Sequence, residues 1–459
     1  MPESVSASAP LLFDAYAARS CPVKTHNAFD PTVPIPPVDD LGGLPELFDG
    51  GQQFQAVVLE QLISACTGRV VDLRLLAPEP AETRTRACVQ AMTSGAAVII
   101  AGLLPVDGRG HRVGRPGLLV RGADTAAGSI AYHPVEIKWH KILERPRPRP
   151  EDHPEPPPAV QFSTLAEPAP VDARCLPGHV LRFGSRAADF LQLAHYHRML
   201  QACGFAAEHA LGAVIGTDGL FDAPVLAWAD LEEPMVRTFS RSQPEGWRLR
   251  SVLERYDFEL GFRTEIAQVA QQQTGHPERD PAPVVRPIVN RECGRCHWWE
   301  HCRPQLHPDD VSLRIDKGAL DMREIVTLRR HGIDTVTDLA RVDLDELLEW
   351  YLPEVTHRTG AEARLRTAVR RATMLGAGVW FARETEGPID IPVADTEIDF
   401  DIETAANGRI YLWGFLIRDP DQPGPGVYTE FSRFADLDEQ GEAALAVEAF
   451  DWLRSVVEG

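Results

Sequence analysis

Glu136, Ile137 and Lys138 form an E-x-K triplet in SIAYHPVEIKW. On a strand its two charged side chains point to one face and Ile137 to the other. Such a pair can hold a divalent metal through the carboxylate and orient or activate a water with the amine; an exposed strand edge is the plainer reading. Gln192 and Tyr196, four residues apart in DFLQLAHYHRML, share a helical face where an amide and a phenol can contact a phosphate backbone, a pair that chance also produces. Eight cysteines in a long chain without a secretory signal do not read as a disulfide framework. Cys66, Cys88, Cys175 and Cys203 stand singly and read as small buried hydrophobes. Cys293, Cys296 and Cys302 differ, forming C-x2-C-x5-C in ECGRCHWWEHCRP, and Cys21 stands far upstream in ARSCPVKTH.

The elements that must position these groups follow from periodicity and turn residues. GRPGLLVR and SIAYHPVEIKW are β-rich runs joined by GADTAAG, a turn by composition. Pairing about that turn sets Gly117 opposite Glu136. A helix is expected over 187–203, carrying Gln192 and Tyr196. Another is expected over 47–66, with Phe54, Val57, Val58, Gln61 and Leu62 on its inner side. Residues 11–20 read as a short helix leading into Cys21, and an amphipathic helix is expected near 247–262. The proline-rich RPRPRPEDHPEPPPAV is a long loop.

E-x-K on a strand, Q-x3-Y on a following helix, and three trailing cysteines with one upstream occur here in one order. Over roughly residues 10–305 this resembles the RecB-like branch of the PD-(D/E)xK nucleases, in the iron–sulfur form known from CRISPR-associated exonucleases. The resemblance implies a restriction-endonuclease-like mixed sheet with flanking helices, metal-dependent hydrolysis of DNA, and a 4Fe-4S cluster on Cys21, Cys293, Cys296 and Cys302. Glu136 would be the metal ligand, Lys138 would assist the nucleophile, and Gln192 and Tyr196 would position the strand. A cluster joining Cys21 to Cys293 closes a loop of 272 residues (293 minus 21), restricting the unfolded chain by roughly 5–6 kcal/mol at the upper end. A structural zinc site using the same thiolates with His297 or His301 is the competing reading, and unligated thiols the remaining one.

The chain departs from that family where a metal would sit. Gly117 stands where an aspartate is expected, and the early helix offers Gly51-Gln52-Gln53-Phe54-Gln55 where a histidine often lies. Amide oxygens bind hard cations weakly compared with carboxylates. Asp124, seven residues beyond Gly117, would lie roughly 23 Å away on a straight strand. Weak Mg²⁺ or Mn²⁺ binding and poor or absent cleavage are therefore expected. The alternative function is an inactive nucleic-acid-binding or assembly subunit.

Residues 306–385 resemble a helix-hairpin-helix module, centred on 328–340 with Gly332 at the turn and Thr335 or Thr337 capping the second helix. An ordinary helical connector is nearly as good a description. Such a turn can grip DNA phosphates through backbone amides without reading sequence. In TEIDFDIETAANGRIYLWGFLI, alternation puts Glu397, Asp399, Asp401 and Glu403 on one strand face. This is similar to the first strand of an RNase H-like DEDD exonuclease, with Asp401 and Glu403 as metal-binding carboxylates; a solvated edge strand is the other reading. Too little chain follows for the rest of that sheet, so residues 386–459 are expected to form a partial RNase H-like segment without two-metal catalysis of its own.

Composition sets the bounds. The 459 residues suggest two to four domains, and 44% hydrophobic with 25% charged residues fits a globular α/β protein. Against 67 acidic residues stand only 46 basic ones, a net charge of −21, so a polyanion must meet a local basic surface or a bound cation. Lys141 to Arg149 and Arg358 to Arg371 are candidates, each read first as a solvated face. No apolar stretch approaches the roughly 20 residues that cross a bilayer, so no membrane partner and a cytoplasmic location are expected, with nucleic acid, DNA in particular, as the partner.

Overall fold

Short uninterrupted apolar runs, VII at 98–100 and LLV at 118–120, are buried along their whole length, as expected of strands covered on both faces. The computed structural model describes residues 11–36, 45–146, 159–219, 223–315, 320–390, 394, 396–405, 408–418, 424–435 and 437–458. Arg147 and Arg149 of the basic stretch and most of the proline-rich loop lie outside them. The chain divides into two compact units, residues 1–43 with 54–380 and residues 44–53 with 381–459. No helix among the described residues is long and apolar enough to cross a membrane.

The first unit is a mixed α/β layer structure around one eight-stranded sheet. Its strands are β1 (Val70–Asp72), β2 (Val98–Ile100), β3 (Leu118–Arg121), β4 (Tyr132–Ile137), β5 (Val160–Thr164), β6 (Arg174–Leu176), β7 (Leu211–Ile215) and β8 (Val225–Asp230). The spatial order is β1-β2-β3-β4-β7-β8-β5-β6. β1 runs parallel to β2 and β4 parallel to β7; the other neighbours are antiparallel. Leu118 pairs with Val135, which carries Gly117 opposite Glu136.

Helices cover both faces of the sheet. From helix α2 (Pro45–Ala65), Val58, Leu59 and Leu62 pack on one face against Val135 and Ile215, with Ile137 beside them. Val57 and Gln61, expected on the inner side, are exposed; the buried stripe is set by 58, 59 and 62. The opposite face meets α3 (Ala81–Thr93) and α4 (Phe183–Cys203), whose Met92, Tyr196 and Met199 pack on Ile99, Leu119 and Tyr132. Behind α4 lies α5 (Val252–Ala270), started by a reciprocal Ser251/Glu254 capping box.

Two local expectations need correction. Residues 14–20 form turns rather than a helix, because the Asp14 carboxylate accepts the amides of Tyr16 and Ala17 and so competes for the backbone. The helix starts only at Pro22, as α1 (Pro22–Phe29), where proline suits a first turn. The helix expected near 247–262 begins at Val252; Trp247–Arg250 is strand β10, paired with β9 (Val236–Phe239).

Residues 311–315 and 320–376 form a helical bundle with its own core of Leu328, Leu339, Tyr351 and Leu365. Its helices include α6 (Met322–Arg330), α7 (Val336–Leu339), α8 (Leu344–Tyr351) and α9 (Ala361–Gly376). Gly332 sits between α6 and α7 at φ +76°, a left-handed turn that suits glycine, and Thr335 caps α7. The fully buried Glu324 accepts hydrogen bonds from Tyr351 Oη and Arg364. The bundle belongs to the same unit as the sheet.

The second unit contains an antiparallel sheet of β11 (Glu397–Thr404), β12 (Ile410–Arg418) and β13 (Val427–Ser432). Helix α10 (Glu439–Glu458) packs Leu445 and Ala449 against Trp413 and Phe415 on one face.

Of the histidines buried in the first unit, three lie on the elements around the sheet: His133 on β4, and His195 and His197 on α4. Burial depresses each imidazole to about 4. An unfolded histidine binds its proton near pH 6.5, so this stability is whole above that pH and is lost as pH falls toward 4, on the order of 3 kcal/mol per ring. His197 Nδ1 has no hydrogen-bond partner. We therefore expect His197→Leu to unfold no more easily than the parent at pH 7.5 and to lose visibly less stability on acidification to pH 5, read by denaturant titration at both pH values.

Candidate functional site

The strand period of two puts Glu136 and Lys138 on the α4 side of β4, opposite the α2 face that receives Ile137. On α4, Asp189, Gln192 and Tyr196 follow one another at helical spacings of three and four, so they form a single ridge facing that strand. The two elements meet in one hydrogen-bonded cluster. Lys138 Nζ donates to Gln192 Oε1 at 2.8 Å and lies 3.3 Å from Glu136 Oε2 and 4.0 Å from Asp189 Oδ1. Gln192 Nε2 donates to Tyr196 Oη at 3.3 Å. All four residues expected at the site are thus brought together.

Asp189, His140 and Arg19 were not singled out in the sequence and belong to the same cluster. His140 Nε2 lies 2.9 Å from Asp189 Oδ2, and Arg19 Nη1 3.6 Å from Asp189 Oδ1. Burial opposes ionisation of Asp189, yet the His140 hydrogen bond and the charges of Lys138, His140 and Arg19 outweigh it and hold the carboxyl below its ordinary value. Burial, reinforced by the Glu136 charge, pushes the Tyr196 phenol well above its usual range. The signal that would have found Asp189 is its i, i+3, i+7 spacing with Gln192 and Tyr196.

The donor set suits a hard divalent cation poorly. Glu136 Oε1 accepts the Gly117 amide at 3.1 Å while Oε2 faces the Lys138 ammonium, so both oxygens are engaged. Gly117 contributes no side chain to the pair. The gap opposite Glu136 is nevertheless open: a Cβ at 117 would meet Val135 O at 3.4 Å and Glu136 Oε1 at 3.8 Å, ordinary contacts.

The second centre is made of thiols. Cys21, Cys293, Cys296 and Cys302 all line one cavity, together with Trp298 and Lys24. Two hydrogen-bond donors aim at sulfur: Asn27 Nδ2 at Cys302 Sγ, 3.5 Å, and the Asn290 amide at Cys293 Sγ, 3.4 Å. Glu292 braces the two chain segments, accepting the Cys21 amide at 3.1 Å with one oxygen and meeting Lys24 Nζ at 2.5 Å with the other. On the α5 side, Arg263 donates to the carbonyls of Ala17 and Ser20 and holds the turn before Cys21. Burial raises the Cys21, Cys293 and Cys302 thiols above their usual value, partly offset at Cys21 by the amides of Val23 and Lys24. A metal bound here displaces those protons. His297 and His301 do not line the cavity.

In the second unit, Asp401 and Glu403 lie on the exposed strand β11, and Asp401 Oδ1 accepts the Ile402 amide. On the same face Asp399 pairs with Arg418 at 2.9 Å. The basic segment 358–371 is largely paired internally: Arg358 with Asp321, Arg364 with Glu324 and Arg366 with Glu362.

Asp189 is the electrostatic hub of the first cluster. Asp189→Asn leaves Lys138, His140 and Arg19 without their shared counter-charge, so a loss of roughly 3–5 kcal/mol in unfolding free energy at pH 7 is expected. The native-state advantage of this carboxylate is present above its unfolded pKa, near 3.9, and disappears as pH falls below it; the variant should therefore show a shallower acid limb. A loss below about 1 kcal/mol would show that the cluster is not coupled through Asp189.

No protein-family model, no curated protein and no solved structure matches the chain.

Proposed function

We propose that this chain is a DNA-binding protein built on a RecB-like, restriction-endonuclease-like core whose hydrolytic centre is degenerate. The observation that carries the reading is the joining of Glu136, Lys138, Gln192 and Tyr196 into one cluster, with Gly117 directly across from Glu136. In this reading Lys138 is a phosphate contact rather than a partner of a metal-bound water. Residues 306–385 act as a helix-hairpin-helix module gripping the sugar-phosphate chain. Residues 386–459 are an RNase H-like segment whose first strand carries Asp401 and Glu403.

The four-thiol cavity is the site of a 4Fe-4S cluster in the same reading. What supports it is the donor chemistry: four cysteines lining one cavity, with N–H groups directed at two of their sulfurs, a set that suits thiolate ligation. When bound, the cluster cross-links α1 to the 293–302 loop. Cys21, Cys293, Cys296 and Cys302 would hold it, and Glu292 keeps the two segments in register.

Three assays test these assignments. Single-stranded DNA incubated with Mg²⁺ or Mn²⁺ should survive the parent protein, and Gly117→Asp should raise cleavage by roughly tenfold or more by adding a carboxylate beside Glu136. Parent cleavage that Glu136→Ala abolishes would overturn the degenerate reading. Protein purified without oxygen should be coloured and contain iron, whereas a colourless zinc protein would favour the tetrahedral alternative. Cys21→Ala should lose the iron and up to roughly 5–6 kcal/mol of stability, while Cys175→Ala, at an exposed thiol outside the cavity, should lose neither.

A further inference from the structure

Beside the thiol cavity lies a larger groove of about 450 Å³, walled by the first turn of α1, by Phe262 of α5, by residues 283–288 and by one side of α6. Its charge is unlike that of the chain as a whole. Three arginines, Arg286, Arg329 and Arg330, line it and no carboxylate does, in a protein with 67 acidic and 46 basic side chains. Arg329 is buried and fixed, pairing with Asp310 at 2.9 Å and donating to the Pro287 carbonyl. The other two are available. The side chains of Arg286 and Arg330 are 67% and 57% exposed, and their nearest carboxylates, on Asp334 and Glu354, are 3.6 and 3.8 Å away. Solvated pairs of that length hold a guanidinium weakly.

The positive rim continues past the groove. Glu354 Oε2 is shared by Arg241, Arg323 and Arg330, three cations around one carboxylate. Arg323 stacks over Phe239 at 3.5 Å and Arg237 over Trp247 at 3.9 Å, on one face of the β9–β10 hairpin. Arg237 also donates to the Thr356 carbonyl, which joins hairpin to bundle. Between these cations the groove is apolar, with Val23, Phe262, Val284, Met322 and Val326 among its walls.

We infer that this groove binds single-stranded nucleic acid, with Arg286 and Arg330 on the phosphates and the apolar walls against unstacked bases. The occupant follows from the combination. A duplex offers phosphates but keeps its bases stacked inside, which leaves the apolar surface unfilled. An acidic peptide supplies charge but no succession of flat apolar faces. Single strands supply both, and bind through cationic grooves with aromatic platforms, the part Phe262 takes here. The inference rests on the nucleic-acid reading above and assigns the binding surface within it.

The test is equilibrium binding of a fluorescent oligothymidylate to the full chain and to the double variant Arg286→Gln/Arg330→Gln. Both side chains are exposed, so the unfolding midpoint should not move. Affinity should fall roughly tenfold or more, and the slope of log K against log salt should flatten by about 0.7 for each lost contact. A charge-matched control, Arg86→Gln/Arg109→Gln at exposed positions elsewhere, should bind as the parent does. Parent binding that the groove variant leaves unchanged overturns the groove while sparing the nucleic-acid reading. Absence of parent binding overturns that reading and the groove with it. An equal loss in the control pair, equal affinity for a duplex of the same sequence, or equally effective displacement by polyglutamate would each overturn the single-strand assignment.

Discussion

Helix α4 is buried at most positions from Asp189 to Leu200, and polar side chains buried there are costly unless they find partners, as His197 Nδ1 does not. Asp189, Gln192, His195 and Tyr196 are all such groups. The first two are met by Lys138, His140 and Arg19, and His195 by the Val113 carbonyl and the Tyr256 hydroxyl. The Glu136–Lys138 strand is therefore held in place by electrostatic necessity as much as by its position in the sheet. Remove the charges on β4 and the polar ridge of α4 loses its partners, and with them the register between helix and strand.

That mutual dependence lets the cations of the chain itself balance the carboxylates of the cluster. A metal site needs carboxylates free to accept a cation; here the carboxylates already face an ammonium, an imidazole and a guanidinium. The same groups that would form a hydrolytic centre serve as internal counter-ions. Their arrangement is stable with the cations the chain itself supplies.

Much of this was legible in the residues. A strand period of two and a helical period near four are local properties, so the shared face of Glu136 and Lys138, and that of Gln192 and Tyr196, follow from spacing alone. The register of Gly117 against Glu136 was equally readable, because both lie about nine residues from the middle of GADTAAG. What sequence missed is non-local. WRLR at 247–250 has an apolar and charged mixture that suits either a helix or a strand, and its pairing with Val236–Phe239 decides the matter. The turns at 14–20 depend on a single carboxylate capturing two amides. Arg19 and His140 reach Asp189 from segments about 170 and 49 residues away in sequence, respectively, a convergence no periodicity reports. The arginine-lined groove is likewise assembled from four separate stretches of chain.

Cys21 and Val23 border both the thiol cavity and the arginine groove. One turn of α1 is thus a party wall between two rooms of different chemistry, one lined by sulfur and one by guanidinium. Such a partition has no independent sides: whatever fixes or frees the helix end at residue 21 reshapes the neighbouring chamber in the same motion.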